Sequence, residues 1–234
     1  MEKEERYSRT VNLIGEEGLG RIKDASVLIV GVGGVGSYAA EAAARAGFGR
    51  MTLMDGDSVQ PSNLNRQLVA LTSTLGRNKA EVMAERIRDI DPDTEVTALA
   101  RFYRPGDDLD LKAYDWVIDA IDDVDAKTAL IEKAVREGVN IVSAMGAAGK
   151  FDTDFKVADL AMTQVCPLAK VMRKRLREKG IEHLPVIYSE EKPAPRDGEL
   201  GTISYVPGSA GLTLAGYVIR KVARGSVPVA KSEK

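Results

Sequence analysis

Short apolar runs alternate with longer amphipathic segments along the first two thirds of the chain. Residues Ser26–Val30 form a continuous, β-branched run. Such a run is too short for an amphipathic helix and is typical of a strand buried on both faces of a parallel sheet. Similar runs predict four more strands, at Met51–Met54, Glu95–Leu99, Trp116–Asp119 and Asn140–Ser143.

The segments between these strands have the composition and spacing of helices. Gly47 ends an alanine-rich helix predicted over residues 35–46. Asn78 is predicted to cap a second helix over residues 78–90, and a third helix is predicted over residues 125–137. Regular alternation of strand and helix predicts an α/β fold with a Rossmann-like, doubly wound and mainly parallel sheet.

After Gly149 the pattern is looser, and we predict a C-terminal α/β extension. Its predicted elements are two strands and two helices, at Phe155–Ala161, Pro185–Ser189, Pro167–Lys179 and Ser209–Arg224. The helix at 167–179 is strongly basic. Glu190–Gly201 contains prolines, glycines and many charges, which is typical of an exposed loop.

No linker or internal repeat divides the chain, so we predict a single domain over residues 1–224. Its core is expected at about 20–150 and its extension at about 151–224. Residues 225–234 are small and polar without an apolar period, which predicts a flexible tail.

Composition excludes several classes of site. The net charge is −2, so the chain as a whole is not a nonspecific nucleic-acid binder, although local basic faces remain. With one cysteine, Cys166, and one histidine, His183, it has neither an internal disulfide nor a multi-cysteine zinc site, and a Ser-His-Asp triad is disfavoured. No apolar run reaches the roughly 20 residues that span a bilayer. The first residues do not resemble a signal peptide, and we expect a cytoplasmic protein.

A glycine-rich loop follows the first predicted strand directly. Gly31, Gly33, Gly34 and Gly36 occupy it, and the next helix begins there. In this position glycines permit a tight turn, close approach of backbone to a phosphate, and close packing of helix on strand. Asp55 ends the second strand, where a carboxylate can accept hydrogen bonds from ribose hydroxyls. The pattern predicts nucleotide binding without deciding between NAD and ATP.

Two cations favour ATP. Arg66 and Lys79 follow the second strand. A guanidinium and an ammonium there favour a triphosphate over a dinucleotide, because the triphosphate has several negative charges to neutralise. If Asn78 caps its helix, Lys79 lies in the first turn, where a cation opposes the helix dipole by about 0.3–1 kcal/mol. A bound anion would remove that conflict.

Carboxylates follow the strand at Trp116–Asp119. Asp122 and Asp123 lie just beyond the carboxyl edge, where open α/β sheets bind ligands. A carboxylate there can hold Mg²⁺ on bound phosphates, and the alternative is that one of the two caps the next helix. Both roles can coexist, one on each residue.

Taken together, these residues resemble the ubiquitin-activating (E1-like) superfamily, which includes bacterial activators of sulfur-carrier proteins. The shared elements, in chain order, are Arg6-Tyr7-Ser8-Arg9, Gly31-x-Gly33-Gly34-x-Gly36, Asp55-x-Asp57, Ser62-Asn63-x-x-Arg66-Gln67, Lys79 and Asp119-x-x-Asp122. They span roughly residues 6–150.

The resemblance implies an adenylating enzyme, in which a substrate carboxylate attacks the α-phosphate of ATP. It assigns the nucleotide to Gly31, Gly33, Gly34, Gly36, Asp55, Asn63, Arg66, Lys79 and Asp122. Within this set Asp55 would bind ribose, Arg66 and Lys79 the phosphates, and Asp122 the Mg²⁺. Arg9 would reach into the site of a partner subunit, which implies a homodimer.

Within the superfamily the chain looks most similar to the tRNA threonylcarbamoyladenosine dehydratases. The similarity covers Gly146-Ala-Ala-Gly149, Val157-Ala-Asp159-Leu160, Thr163-x-x-x-Pro167-Leu168-Ala169, Arg173-Lys-Arg-Leu-Arg177 and Gly211–Val222. This family implies ATP-dependent closure of a threonyl carboxylate on a modified tRNA base, a monovalent cation (Na⁺ or K⁺) and a sulfur-relay protein as a further partner. The family often has an acidic residue where this chain has Cys166, which puts any role of that acid in doubt here.

The basic helix fits a tRNA backbone. Its candidates for phosphate contacts are Arg173, Lys174, Arg175 and Arg177, because such contacts supply affinity without reading sequence. The alternative is a solvated helix face.

Two other functions stay open on the sequence. One is activation of a ubiquitin-like or sulfur-carrier protein, in which Cys166 would act as a nucleophile rather than as a small buried apolar residue. The other is a nucleotide-sensing module without turnover, which would bind ATP without releasing pyrophosphate.

Overall fold

The computed structural model describes residues 3–194 and 200–225 and contains a single seven-stranded sheet. The strands are β1 (Ser26–Val30), β2 (Arg50–Met54), β3 (Glu95–Leu99), β4 (Trp116–Asp119), β5 (Asn140–Ala144), β6 (Lys156–Asp159) and β7 (Pro185–Tyr188). The helices are α1 (Lys3–Arg6), α2 (Ser8–Asp24), α3 (Gly36–Ala46), α4 (Lys79–Ile90), α5 (Val124–Glu137), α6 (Pro167–Arg177) and α7 (Tyr205–Ala223). Short 3₁₀ turns lie at Pro61–Asn63, Thr72–Thr74, Leu111–Ala113 and Leu160–Met162.

The strand order is β3-β2-β1-β4-β5-β7-β6, and every pair is parallel except β6 with β7. This confirms the predicted doubly wound, mainly parallel α/β sheet. β2 and β3 are added on one side of β1, and β4 and the later strands are added on the other side. Ligands of open α/β sheets bind at such a topological switch point. The extension adds β7 and β6 to the same sheet; its separation from the core as a functional unit stays a prediction.

Alternate side chains of β1 enter two different cores. Val27 and Ile29 pack with α3, α4 and α7 on one face, whereas Leu28 and Val30 pack with α5 and α6 on the other. Burial of each such side chain contributes about 1.5–3 kcal/mol. The uninterrupted apolar run in the sequence therefore reflects a strand with helices on both sides.

The N-terminal helices were absent from the predicted elements. α2 has a non-helical Gly15 (φ 75°) inside it, and Leu13 is 85% exposed. Its apolar period is consequently broken, and tertiary contacts hold the helix instead. Arg21, for example, donates from Nε and Nη2 to the carbonyl of Ala223 at the end of α7.

Several predicted boundaries in the extension are wrong by a few residues. β6 ends at Asp159, because the Asp159 side chain accepts a hydrogen bond from Ala161 N (2.8 Å) and starts a 3₁₀ turn. α6 ends at Arg177, and α7 begins at Tyr205 rather than Ser209. Of the predicted loop, residues 195–199 lie outside the described part, as do residues 226–234 of the predicted tail.

No described helix is both long and apolar enough to cross a bilayer.

Candidate active site

A cavity of about 1010 Å³ opens at the carboxyl ends of the central strands. Val30, Met54, Ala120 and Ala144 line it at the ends of β1, β2, β4 and β5. We call the lining residues from Val30 to Ala126 the N-terminal wall, and those from Ala144 to Pro207 the C-terminal wall. The cavity lies at the switch point where the topology predicts a ligand.

Glycines of the loop allow close packing of β1 against α3, and some of them also line the cavity. A Cβ added at Gly36 would lie 1.8 Å from the carbonyl oxygen of Gly31, and one at Gly31 (φ 88°) would lie 2.6 Å from that of Ala120. Gly31, Gly33 and Gly34 line the cavity, whereas Gly36 does not. Gly31 and Gly36 thus allow strand and helix to meet, and Gly33 and Gly34 present backbone to a ligand.

Asp55 braces this loop. One of its carboxylate oxygens accepts a hydrogen bond from Val32 N (2.7 Å), and the other accepts one from Asp57 N (2.8 Å). Burial raises the pKa of Asp55 above its ordinary value, against the effect of these hydrogen bonds. Each oxygen retains a second lone pair, so binding of ribose stays a prediction beside a bracing role that the sequence did not indicate.

Lys79 has a counter-charge within the protein. Its Nζ lies 2.9 Å from Oδ2 of Asp57, and its side chain is 7% exposed. Asn78 caps α4 as predicted, because its Oδ1 accepts from Ala80 N (2.9 Å) and Glu81 N (3.2 Å). The expected conflict between Lys79 and the helix dipole is therefore offset by Asp57 before any nucleotide binds.

Arg66 retains an uncompensated charge. Its Nη1 donates to the Ser62 carbonyl (2.8 Å) and to Oδ1 of Asn65 (2.9 Å). It has no acidic partner in the part of the chain that the structure describes. The guanidinium is thus oriented by neutral groups at the cavity and is free to meet an anion.

Asp122 and Asp123 lie in different surroundings, one suited to binding Mg²⁺ and the other to capping the next helix. Oδ1 of Asp123 accepts a hydrogen bond from Ala126 N (2.8 Å) and caps α5. Asp122 lines the cavity, is exposed, and has no hydrogen-bonding or ionic partner among the described residues. Its carboxylate oxygens are of the type that Mg²⁺ prefers.

Beneath Asp122 lies a buried polar group that sequence reasoning missed. Nζ of Lys127 lies 2.7 Å from Oδ2 of Asp119, and Ser143 Oγ donates to the same oxygen at 2.6 Å. Both charged side chains are 0% exposed. Oδ1 of Asp119 accepts from Ile121 N (3.0 Å), so this group fixes the turn that leads to Asp122. The sequence feature that could have indicated this buried group is Lys127, which lies on the otherwise apolar face of α5.

The C-terminal wall is apolar and built mostly from small side chains. It comprises Ala144, Met145, Gly146, Ala147, Ala148, Lys150, Cys166, Pro167, Leu168, Pro193, Leu200, Thr202 and Pro207. Asn65 Nδ2 donates to the carbonyl of Thr202 (2.9 Å), which connects the residue preceding Arg66 to the C-terminal wall. Thr202 and Lys150 were not predicted as site residues, because nothing local in the sequence places them at the cavity.

A family model for the ThiF family matches residues 7–231. The chain belongs to the ThiF family. A tRNA threonylcarbamoyladenosine dehydratase of Bacillus subtilis is 41% identical over 235 residues, covering 91% of this chain and 92% of the relative. The protein of that name from Escherichia coli is 46% identical over 176 residues, covering 74% and 66%.

Solved structures of this ThiF-family group match the whole fold. The E. coli dehydratase TcdA in complex with ATP superposes with a TM-score of 0.88 at 38% identity, covering 95% of this chain and 96% of that one. The complex of the same protein with AMP gives the same values. These matches confirm the predicted family.

Three of the residues implied by the family do not line the cavity, namely Gly36, Asn63 and Arg9. Asn63 is buried, and its Oδ1 accepts from Gln60 N (3.0 Å) within the turn that precedes Arg66. Arg9 is exposed on α2 and does not line the cavity of its own chain. Contact of Asn63 with nucleotide and of Arg9 with a partner's site both stay predictions.

Three of the four predicted phosphate contacts share one face of α6. A hollow of about 340 Å³ is lined by Lys170, Arg173, Lys174, Arg177 and Glu178. Arg173 is already engaged, since it donates to the carbonyl of Thr163 (2.7 Å). Arg175 pairs instead with Asp125 of α5 and lies apart from this basic face.

Cys166 has the surroundings of an apolar residue. It is 2% exposed and packs in the core cluster that contains Leu160, Ala169 and Met172. This environment favours the interpretation as a small buried side chain over that of a nucleophile. No group of three or more His, Cys, Asp or Glu side chains within residues 3–194 and 200–225 could hold a metal ion.

Proposed function

We propose that this ThiF-family chain is an ATP-dependent tRNA threonylcarbamoyladenosine dehydratase. It adenylates the threonyl carboxylate of the modified base in tRNA and then closes that group into a ring, with overall loss of water. One observation carries the proposal. A single cavity combines the glycine loop, the cations Arg66 and Lys79 and the unpaired carboxylate of Asp122 with a mostly apolar wall that leaves room for a second reactant. The names of relatives at 41% and 46% identity, and the ATP in a related structure, support it.

The N-terminal wall would bind the triphosphate. Backbone N–H groups at Gly33 and Gly34 and the start of α3 receive phosphate oxygens. Arg66 adds an uncompensated guanidinium, and Lys79 adds an ammonium that Asp57 holds in place. Asp122 would hold Mg²⁺, which when bound neutralises part of the phosphate charge. A single free carboxylate fits this ion, because Mg²⁺ on a nucleotide is usually held by one or two carboxylates together with the phosphates.

The chemistry needs positioning more than a protein nucleophile. A substrate carboxylate oxygen bonds to the α-phosphorus, the bond from that phosphorus to the bridging oxygen breaks, and pyrophosphate leaves. A nitrogen of the same substrate then bonds to the activated carbonyl carbon, the carbon–oxygen bond to AMP breaks, and the proton from nitrogen goes to water. Intramolecular attack of this kind reaches effective molarities of about 10⁵ M or more.

The tRNA backbone would lie along α6. Cys166, Pro167 and Leu168 at its start line the cavity, and the basic face of the same helix continues away from it. A base in the cavity would therefore bring neighbouring phosphates towards Lys174 and Arg177, which have no partner in the described part of the chain.

We further propose a homodimer, in which Arg9 serves the partner's nucleotide site, and a cytoplasmic location, because tRNA and ATP are both found there. The sulfur-relay partner and the monovalent cation (Na⁺ or K⁺) stay predictions from the family resemblance.

The test incubates the protein with Mg²⁺, ATP and tRNA that carries the threonylcarbamoyl base, and then weighs the nucleosides. Loss of one water from that base supports the proposal. An unchanged mass, with pyrophosphate exchange only when a sulfur-carrier protein is added, would support a carrier-activating enzyme instead. Binding of ATP without any pyrophosphate release would support a nucleotide-sensing module.

A further inference from the structure

The C-terminal wall of the cavity contains one charge that the nucleotide does not require. Among the described residues of that wall, Lys150 is the sole ionisable side chain other than the thiol of Cys166. Lys150 is 4% exposed. The cations assigned to phosphate, Arg66 and Lys79, belong to the opposite wall. Lys150 is therefore a buried ammonium on the side of the cavity left for the second reactant.

The ammonium of Lys150 has one hydrogen-bond partner among the described residues. It donates to the backbone carbonyl of Glu191, and no second partner is found for it within residues 3–194 and 200–225. An ammonium has three protons to donate. Burial of a charge that is not in a salt bridge costs several kcal/mol. Among the described residues Lys150 forms no salt bridge, and the Glu191 carboxylate acts on it only from a longer distance.

The carboxylate of Glu191 is engaged by backbone groups. Oε1 of Glu191 accepts from Phe151 N (2.8 Å) and Oε2 accepts from Asp152 N (2.9 Å). The hydrogen bond from Phe151 lowers the pKa of Glu191, and the bond from Asp152 and the charge of Lys150 act in the same direction. Glu191 thus accepts hydrogen bonds from backbone, and it forms no ion pair with Lys150 among the described contacts.

The backbone that carries Lys150 is fixed on both sides. Gly149 N donates to the carbonyl of Gly201 (2.7 Å), and the carbonyl of Gly149 accepts from Ala194 N (2.7 Å). With the two bonds to Glu191, four hydrogen bonds hold the residues around Lys150. A charged group held in this way needs no reorganisation when an opposite charge arrives.

From this geometry we propose that Lys150 is a catalytic residue whose ammonium pairs with the substrate carboxylate. The inference rests on the proposed function and adds the position of the acyl group within the cavity. The carboxylate must approach a polyanionic nucleotide, and a cation beside it offsets their repulsion. When nitrogen attacks the activated carbonyl, negative charge builds on the oxygen that is not bonded to phosphorus, and the same ammonium stabilises it.

The experiment measures recognition of charge directly. Threonylcarbamoyladenosine as the free nucleoside, and its methyl ester, are titrated by calorimetry into the protein saturated with a non-hydrolysable ATP analogue. Wild type should bind the carboxylate at least about 30-fold more tightly than the ester. Lys150→Met should abolish this preference, and Lys150→Arg should restore part of it.

Two controls separate charge recognition from a structural role. Lys192→Met removes an exposed ammonium from the neighbouring segment and should leave the preference intact. The melting temperature and the affinity for the ATP analogue should change little in Lys150→Met if the lysine acts on substrate. The inference would be overturned if Lys150→Met lost both the fold and ATP binding while Lys150→Arg kept the fold but did not prefer the acid over the methyl ester.

The outcomes also distinguish this inference from the proposed function. Equal binding of acid and ester by wild type, or an undiminished preference in Lys150→Met, would overturn the role of Lys150 even if modified tRNA is dehydrated. A preference that depends on Lys150 in a protein that leaves modified tRNA unchanged would support the carboxylate site and contradict the dehydratase.

Discussion

The two walls of the cavity are built on different principles. The N-terminal wall uses residues of the connections that follow buried strands, and its charged groups contact other residues of the same wall region, since Asp55 accepts from Val32 of the glycine loop and Asp57 pairs with Lys79. The C-terminal wall is apolar, and its one ammonium is placed by hydrogen bonds that join Gly149–Asp152 to Glu191, Ala194 and Gly201.

This contrast fits two ligands with different demands. A triphosphate presents many negative charges and little apolar surface, so fixed cations and amide donors are enough to bind it. A nucleoside with one carboxylate presents mostly apolar and aromatic surface, so an apolar wall with one placed charge suits it. Substitutions in the N-terminal wall should therefore impair the use of ATP, and substitutions in the C-terminal wall should impair binding of the substrate nucleoside.

Arg66→Met should have the largest effect, because it removes a cation that lies beside the glycine loop and has no acidic partner among the described residues. We expect pyrophosphate exchange dependent on modified tRNA to fall by about 10²–10³-fold, with little change in affinity for tRNA. Arg77→Met is the matched control, since Arg77 lies in the same connection, is exposed and pairs with Glu85. Equal activity of the two variants would contradict the assignment of Arg66.

Lys127→Met tests the support beneath both walls. Removal of the lysine leaves Asp119 buried without its counter-charge, which should destabilise the fold by about 3–5 kcal/mol. Urea unfolding monitored by the circular dichroism of the helices measures it. Arg136→Met, on the exposed side of α5, should cost little. A loss below about 1 kcal/mol would mean that Asp119 finds another partner or a proton.

Lys174→Gln probes the basic face that leads away from the C-terminal wall. Loss of one phosphate contact should weaken tRNA binding at low salt and reduce the slope of log affinity against log salt by about one. The matched control is Arg175→Gln, because Arg175 pairs with Asp125 and lies off that face. Identical slopes for wild type and Lys174→Gln would remove the basic face from the tRNA site.

Glu191→Gln should have the smallest effect, and it should depend on pH. The folded state lowers the pKa of Glu191, chiefly through the hydrogen bond from Phe151. Its contribution to stability is therefore fully present above the ordinary pKa of 4.5 and is lost as pH falls through the lowered folded value. The melting temperatures of wild type and variant should differ at neutral pH and converge under acid conditions.

Glu182→Gln, at an exposed position without such hydrogen bonds in the described structure, is the control for this pH series. A gap between wild type and Glu191→Gln that widens as pH falls would show that the carboxylate does not hold the C-terminal wall through its charged form.

The sequence by itself determined the doubly wound sheet, the glycine loop and the cations of the N-terminal wall. These features depend on local spacing. A buried parallel strand is apolar over most of its length, and the loop that follows such a strand begins at the carboxyl edge of the sheet. The cap at Asn78 was predictable for the same reason, since donor and acceptor are neighbours along the chain.

Only the tertiary structure decided which partners the charges have. Lys127 pairs with Asp119, Lys79 pairs with Asp57, and Lys150 meets a carbonyl 41 residues away. The kinked α2 and the C-terminal wall likewise depend on contacts between distant segments. A spacing rule cannot supply these pairings, because the free energy of a buried charge depends on the groups that folding brings beside it and not on its neighbours along the chain.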